Sequence, residues 1–169
     1  MKRIIGIIAA FASAALLLTG CSFFARKVPS NWYAETVEYY ESGFESDWKN
    51  ERVNLFVSDE MKEDDEKFGY LLNDLDGDGT FELLIGIMDD APETKFIDVY
   101  IWHKDKGSFR IIHSGDGYYT YLCENGILRN DSWYGSAVKT EYLKFIPENN
   151  SFLKLNETAA PQKWELTAF

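Results

Sequence analysis

Histidine and cysteine are scarce in this chain, two of each in 169 residues, and proline is limited to four. The scarcity narrows the chemistry. Acid–base relays and transition-metal sites draw on imidazole and thiolate groups, and here those groups are few and scattered. His103 and His113 fall on the two arms of one expected hairpin, with its turn near Asp105 to Gly107. That turn sets His103 opposite Phe109 or Arg110, and His113 opposite Val99 or Tyr100. At about 3.4 Å per residue the rings stand about three or four pairs apart, too far to share a metal or relay a proton. No His-Glu-x-x-His, nucleophile elbow or phosphate-binding loop occurs. Basic charge is short as well: 17 Lys and Arg face 28 Asp and Glu, a net charge of −11. A field of that sign excludes nucleic acid and anionic headgroups as partners of the bulk surface, and it suits cations.

The N-terminus has a distinct layout. Lys2 and Arg3 precede an uncharged run of apolar and small residues, Ile4 to Leu18, which ends in Leu18-Thr19-Gly20-Cys21. A basic start, an apolar core and small residues at the end are the parts of a secretory signal. The run is short for a bilayer span, which needs roughly 20 residues. Leu-Thr-Gly-Cys resembles the lipobox of bacterial lipoproteins. The resemblance implies cleavage after residue 20, diacylglycerol on the Cys21 thiol, and an acylated new N-terminus. Two or three acyl chains, at about 0.8 kcal/mol per buried methylene, make a stable anchor. The expected place is the extracytoplasmic face of the cell membrane. The remaining 149 residues carry 15 basic and 28 acidic side chains, a net charge of −13, and are enough for one domain with its own core. With Cys21 lipidated, Cys123 has no disulfide partner and reads as a buried, inert thiol in a strand.

Residues 21–30 then form the lipidated cysteine and a tether, and 31–169 a single domain. Trp32, Tyr33, Thr36, Val37 and Tyr40 repeat on one face of a helix. Ser30 or Asn31 is the candidate cap, and Ser42-Gly43 the expected end or bend, with Phe44 and Trp48 extending the stripe. The charge run Ser58 to Lys67 reads as a solvated loop or short helix. From Phe68 onward the pattern is that of strands. "FELLIGIM" is apolar on both faces, which predicts a central strand covered on each side. Three hairpins follow, turning at "KDKG", at Asn125-Gly126 and at "PENN". The expected fold is α+β: an N-terminal helical region packed on a largely antiparallel β-meander of about seven or eight strands.

Between the first two strands lies "DLDGDGTFE", residues 74–82. Asp74, Asp76 and Asp78 occupy alternate positions, Gly79 permits a sharp turn, and Glu82 closes the segment. A hard cation such as Ca²⁺ takes six to eight oxygens at about 2.3–2.6 Å. The three Asp, the Thr80 carbonyl and Glu82, directly or through water, would supply most of them. No Cys or His lies nearby, so softer metals are poorly served. The metal-free alternative is a solvated Asp-Gly turn. An EF-hand needs a bidentate Glu at loop position 12, where this chain has Ile85. The segment resembles instead the Asp-x-Asp-x-Asp-Gly-x-x-Asp/Glu loop of FG-GAP-type repeats. It is also similar to a segment of small secreted proteins and lipoproteins of Gram-positive bacteria, in which a helix-rich start precedes the loop and hairpins follow. The likeness spans about 14 residues, Asn73 to Gly86. It implies calcium, bound by Asp74, Asp76, Asp78, Thr80 and Glu82, and it implies no activity.

Aromatic residues crowd the C-terminal hairpins: Tyr118, Tyr119, Tyr121, Trp133, Tyr134, Tyr142, Phe145 and Phe152. They read as core and cross-strand pairs, or as a flat face for a carbohydrate or protein ligand. The function expected on these grounds is a membrane-anchored binding module at the cell envelope with a structural calcium site. The rival class is an envelope hydrolase, acting for instance on glycans, through carboxylates the sequence does not single out.

Overall fold

The computed structural model describes residues 32–46, 48, 57–62, 66–114 and 117–169. The signal segment 1–20, Cys21, the tether to residue 30 and the candidate caps Ser30 and Asn31 lie outside the described residues. Among the described residues no helix is long and apolar enough to cross a membrane.

Among the described residues one α-helix, α1 (Ala34–Glu45), lies against one nine-stranded antiparallel sheet. The α+β expectation holds. The helix forms on the predicted stripe: Tyr33 and Tyr40 are buried, and Trp32, Val37, Tyr39 and Phe44 pack around them. Ser42-Gly43 does not end it, and α1 runs on to Glu45. Gly43 has a packing role instead: a Cβ there would stand 2.2 Å from the Trp48 ring. Missing side-chain bulk at position 43 therefore seats that indole over the helix, among Tyr39, Tyr40 and Phe44.

The strands are β1 (Phe68–Asn73), β2 (Glu82–Ile87), β3 (Lys95–His103), β4 (Gly107–His113), β5 (Tyr118–Leu122), β6 (Ile127–Tyr134), β7 (Ala137–Ile146), β8 (Ser151–Leu155) and β9 (Thr167–Ala168). Their order is β8-β7-β6-β5-β3-β2-β1-β9, with β4 paired to β3. On the edge away from β2, the long β3 serves two neighbours: Lys95 and Phe96 pair with β5, and Asp98 to His103 pair with β4. Strand β2 is buried at every position, as two apolar faces require. Leu83, Ile85 and Ile87 join the helix-side core with Tyr40, Met61, Phe68 and Ile97. Leu84 joins the opposite core with Leu75, Phe96, Val99, Leu122 and Leu128.

Two further expectations are corrected. The run Ser58 to Lys67 is not wholly solvated: its 3-10 turn, Asp59–Lys62, buries Met61 in the helix-side core. The β3–β4 register is tighter than the turn at 105–107 implies. Gly107 takes a φ of +73° and already pairs with His103, and a bulge at Val99/Tyr100 then brings His113 opposite Asp98.

Candidate metal centre

The acidic loop joins β1 to β2, two antiparallel neighbours closed by the pair Asn73↔Glu82. Gly77 and Gly79 adopt φ of +82° and +86°, the left-handed region that favours glycine. These two turns fold the loop back on itself. Asp74, Asp76 and Asp78 thereby converge, with one carboxylate oxygen from each lying within 4.8 Å of the others. The three carboxylates could hold a metal ion. They also order the loop: Asp74 accepts the N–H groups of Gly77 and Gly79 at 2.7 and 2.9 Å, and Asp76 accepts that of Asp78 at 2.9 Å. Asp78 in turn accepts the Thr80 N–H at 2.5 Å.

Glu82 stands behind this cluster at the start of β2. It is 3 % exposed, and it accepts the Leu75 N–H at 2.8 Å. Burial raises its carboxyl to about 8; the Leu75 N–H opposes the rise, and the charges of Asp76, Asp74 and Asp78 add to it. Asp76 is also raised, by burial and then by Asp78 and Asp74, against the lowering effect of the Asp78 N–H. Crowded carboxylates of this kind call for positive charge.

The loop is anchored to the body of the protein. Leu75, between two acidic residues, is 1 % exposed and plugs the second core. Its carbonyl passes so close to Gly126 that a Cβ there would be 1.9 Å away. Asn125 and Gly126 both take positive φ, 58° and 70°, as the predicted Asn-Gly turn requires. On the helix side the Tyr33 hydroxyl donates to the Phe81 carbonyl at 3.0 Å.

A second polar cluster was not foreseen. Asp98 on β3 has no exposed surface. It accepts from the Tyr40 hydroxyl, sits 2.6 Å from His113 Nδ1, and pairs with Arg110 at 3.4 Å. Tyr40 also bonds to the Tyr100 hydroxyl at 2.9 Å. His113, expected opposite Val99 or Tyr100, thus stands opposite Asp98 and meets that buried carboxylate from the solvent side. The signal was the pair Asp98↔His113, which only the bulged register creates. A general acid or base must come within about 3 Å of a substrate proton, and Asp98 is spent on three side chains. The network's chemistry is to compensate one buried charge and to clamp α1 to β3 and β4. His103 is elsewhere, with Nδ1 accepting the Asp105 N–H at 3.2 Å.

Cys123 is 1 % exposed, its Sγ–H directed at the Ala159 carbonyl, and burial pushes the thiol up. An inert thiol is what such a place makes. Of the eight aromatic residues in the C-terminal hairpins, Tyr121 and Phe145 are core, and Tyr118, Trp133 and Tyr134 are exposed.

The fold and the loop define a class: a helix-covered antiparallel sheet whose first hairpin carries a cluster of converging carboxylates. Among known protein families, curated proteins and solved structures, none matches the chain.

Proposed function

We propose that the chain is an envelope lipoprotein, anchored through Cys21 at the extracytoplasmic face of the cell membrane, whose α+β domain is a binding module pinned by one Ca²⁺. Asp74, Asp76, Asp78, the Thr80 carbonyl and Glu82 are its ligands. The observation that carries the metal reading is the convergence of three carboxylates on a loop with two positive-φ glycines, backed by a buried glutamate. The donors are all oxygen, the set a hard dication prefers. The ion's task is structural. It neutralises the loop that seats Leu75 in the core and closes the first hairpin. The anchor rests on the sequence of residues 1–21, and its direct check is release of the Cys21→Ser variant from the membrane fraction.

The test of the metal is calorimetric titration of the full chain in a neutral detergent with calcium chloride. One site is expected, at about 10⁻⁴–10⁻³ M, the range of extracellular modules. Asp76→Ala and Asp78→Ala should each abolish the heat. Free calcium at about twenty times the dissociation constant adds about 1.8 kcal/mol. For a domain of this size that raises the melting temperature by roughly 4–7 °C over chelator. Absence of both heat and melting shift would leave the loop as a solvated turn ordered by its own carboxylates.

A further inference from the structure

We propose that the cleft between α1 and the β3–β4 hairpin binds a carboxylate-bearing saccharide. The inference rests on the reading of the chain as a binding module, and it names the site and the ligand class. The cleft has a volume of about 510 Å³, room for two or so sugar rings on the usual scale of ligand pockets. It lies well away in sequence from the aromatic hairpins of the C-terminal half.

Four aromatic side chains line it: Trp32 and Tyr39 from the helix side, Tyr100 and Trp102 from β3. Trp32 and Trp102 stack at 5.2 Å with 13° between their planes, and Tyr33 meets Trp102 edge-on at 6.2 Å. The indoles are therefore oriented before any ligand arrives. The Thr36 hydroxyl donates to Ser108 Oγ at 2.7 Å, which ties the helix to the hairpin. Preformed aromatic surfaces of this kind receive the C–H face of a pyranose ring, and few flexible groups need to be ordered on binding.

The charges select among saccharides. Arg110 and Lys106 both line the cleft, in a chain with a net charge of −11. Arg110 is oriented from behind by the buried Asp98. Lys106 lies 5.8 Å over the Phe109 ring and, among the described residues, forms no ion pair. Glu35 lines the same cleft from α1, exposed and also without an ion pair among the described residues. Lys106 and the Asp98-paired Arg110, with Glu35 and an aromatic wall, ask for a ligand that offers an anion, hydroxyl donors and a flat apolar face together. A uronic acid unit has all three: its carboxylate for Lys106 and Arg110, its hydroxyls for Glu35, its ring for the indoles. A fatty acid or simple phosphate leaves Glu35 facing an anion. A quaternary ammonium ion would meet Lys106, unpaired among the described residues.

The test titrates the full chain, in neutral detergent, with the trisaccharides of galacturonate, glucuronate and mannuronate, read by calorimetry and tryptophan fluorescence. At least one should bind in the millimolar range or tighter, with a change in fluorescence, and its methyl ester should bind at least tenfold more weakly. Lys106→Gln and Glu35→Gln, both at exposed positions, should each weaken binding at least fivefold at an unchanged melting temperature. Failure of all three trisaccharides at 10 mM would overturn the proposal. Equal binding of ester and acid, or binding indifferent to Lys106→Gln, would overturn it too. Chromatography of the recovered trisaccharide separates the two readings. An intact ligand agrees with a binding module, whereas shortened products would overturn the module reading and leave the cleft as the saccharide site.

Discussion

Asp98 places a carboxylate where no solvent reaches, and Tyr40, His113 and Arg110 answer it from two different elements. Removing one partner of a buried ion pair costs about 3–5 kcal/mol, because the other charge stays behind unpaired. The three partners differ. Tyr40 is 1 % exposed and its hydroxyl serves both Asp98 and Tyr100. The side chain of His113 is 41 % exposed, so water can replace it. Chemical denaturation should therefore rank the losses. Asp98→Ala should cost about 3–5 kcal/mol. Tyr40→Phe should cost about 1.5–3 kcal/mol, the range for a hydrogen bond to a charged group, and His113→Ala should cost the least. A His113→Ala loss as large as that of Asp98→Ala would mean the histidine, not the tyrosine and arginine, holds the carboxylate. Nothing in the sequence brings these residues together. They meet only through the bulge at Val99/Tyr100 and the packing of α1 on β3. The acidic loop is the opposite case: Asp74, Asp76 and Asp78 are close in sequence, and alternation plus glycine was enough to expect their convergence.

Elements with a period were legible for the same reason. β2 shows two apolar faces in its sequence, and the hairpins carry their turn residues with them. The C-terminal segment has neither. Residues 156–169 read "NETAAPQKWELTAF", polar and without repeat, and the two-residue β9 left no pattern to find. Its order comes from contacts made at a distance. Trp164 donates its backbone N–H to Thr94 Oγ1 at 2.8 Å and its indole N–H to the Leu122 carbonyl at 3.1 Å. Gln162 links Thr94 and Leu122 through its backbone. Trp164 and Leu166 pack on the core that also receives Leu75, and Phe169 stacks on Tyr40 at 5.6 Å. Trp164 and Leu166 thus cover the sheet face opposite α1, while Phe169 belongs to the helix-side core. Trp164→Ala should cost about 2–4 kcal/mol, near the range for deleting a core aromatic side chain. Exchange of the Thr94 and Gln162 amides, which donate to the Gln162 and Leu122 carbonyls, should quicken with it. A loss below about 0.5 kcal/mol, the scale of surface changes, would show that the segment merely lies on the sheet.

At the scale of the whole molecule, the helix-side core is built around buried phenols, and this sets an alkaline limit. Tyr33, Tyr40 and Tyr100 all have pKa values above the ordinary tyrosine range, in each case first through burial. Glu82 adds to the effect at Tyr33, and Asp98 at Tyr40. Tyr100 is pushed up to about 12. A phenol is neutral when protonated, so a raised value means that the folded state keeps a proton the unfolded chain has already released. The stability these groups contribute is complete below about pH 10, the unfolded value. It falls as pH rises from there through the folded values, because the unfolded state then binds fewer protons. The chain has ten tyrosines. Phenolate absorbance should rise in two parts: accessible rings first, then the buried Tyr33, Tyr40, Tyr100 and Tyr121 in a cooperative step that coincides with loss of the far-ultraviolet dichroism. Tyr40→Phe should shrink that second step by one tyrosine. A single smooth titration of all ten near pH 10, with the dichroism intact, would mean that water reaches the phenols between α1 and the sheet. The clamp at Asp98 would then be looser than its distances imply.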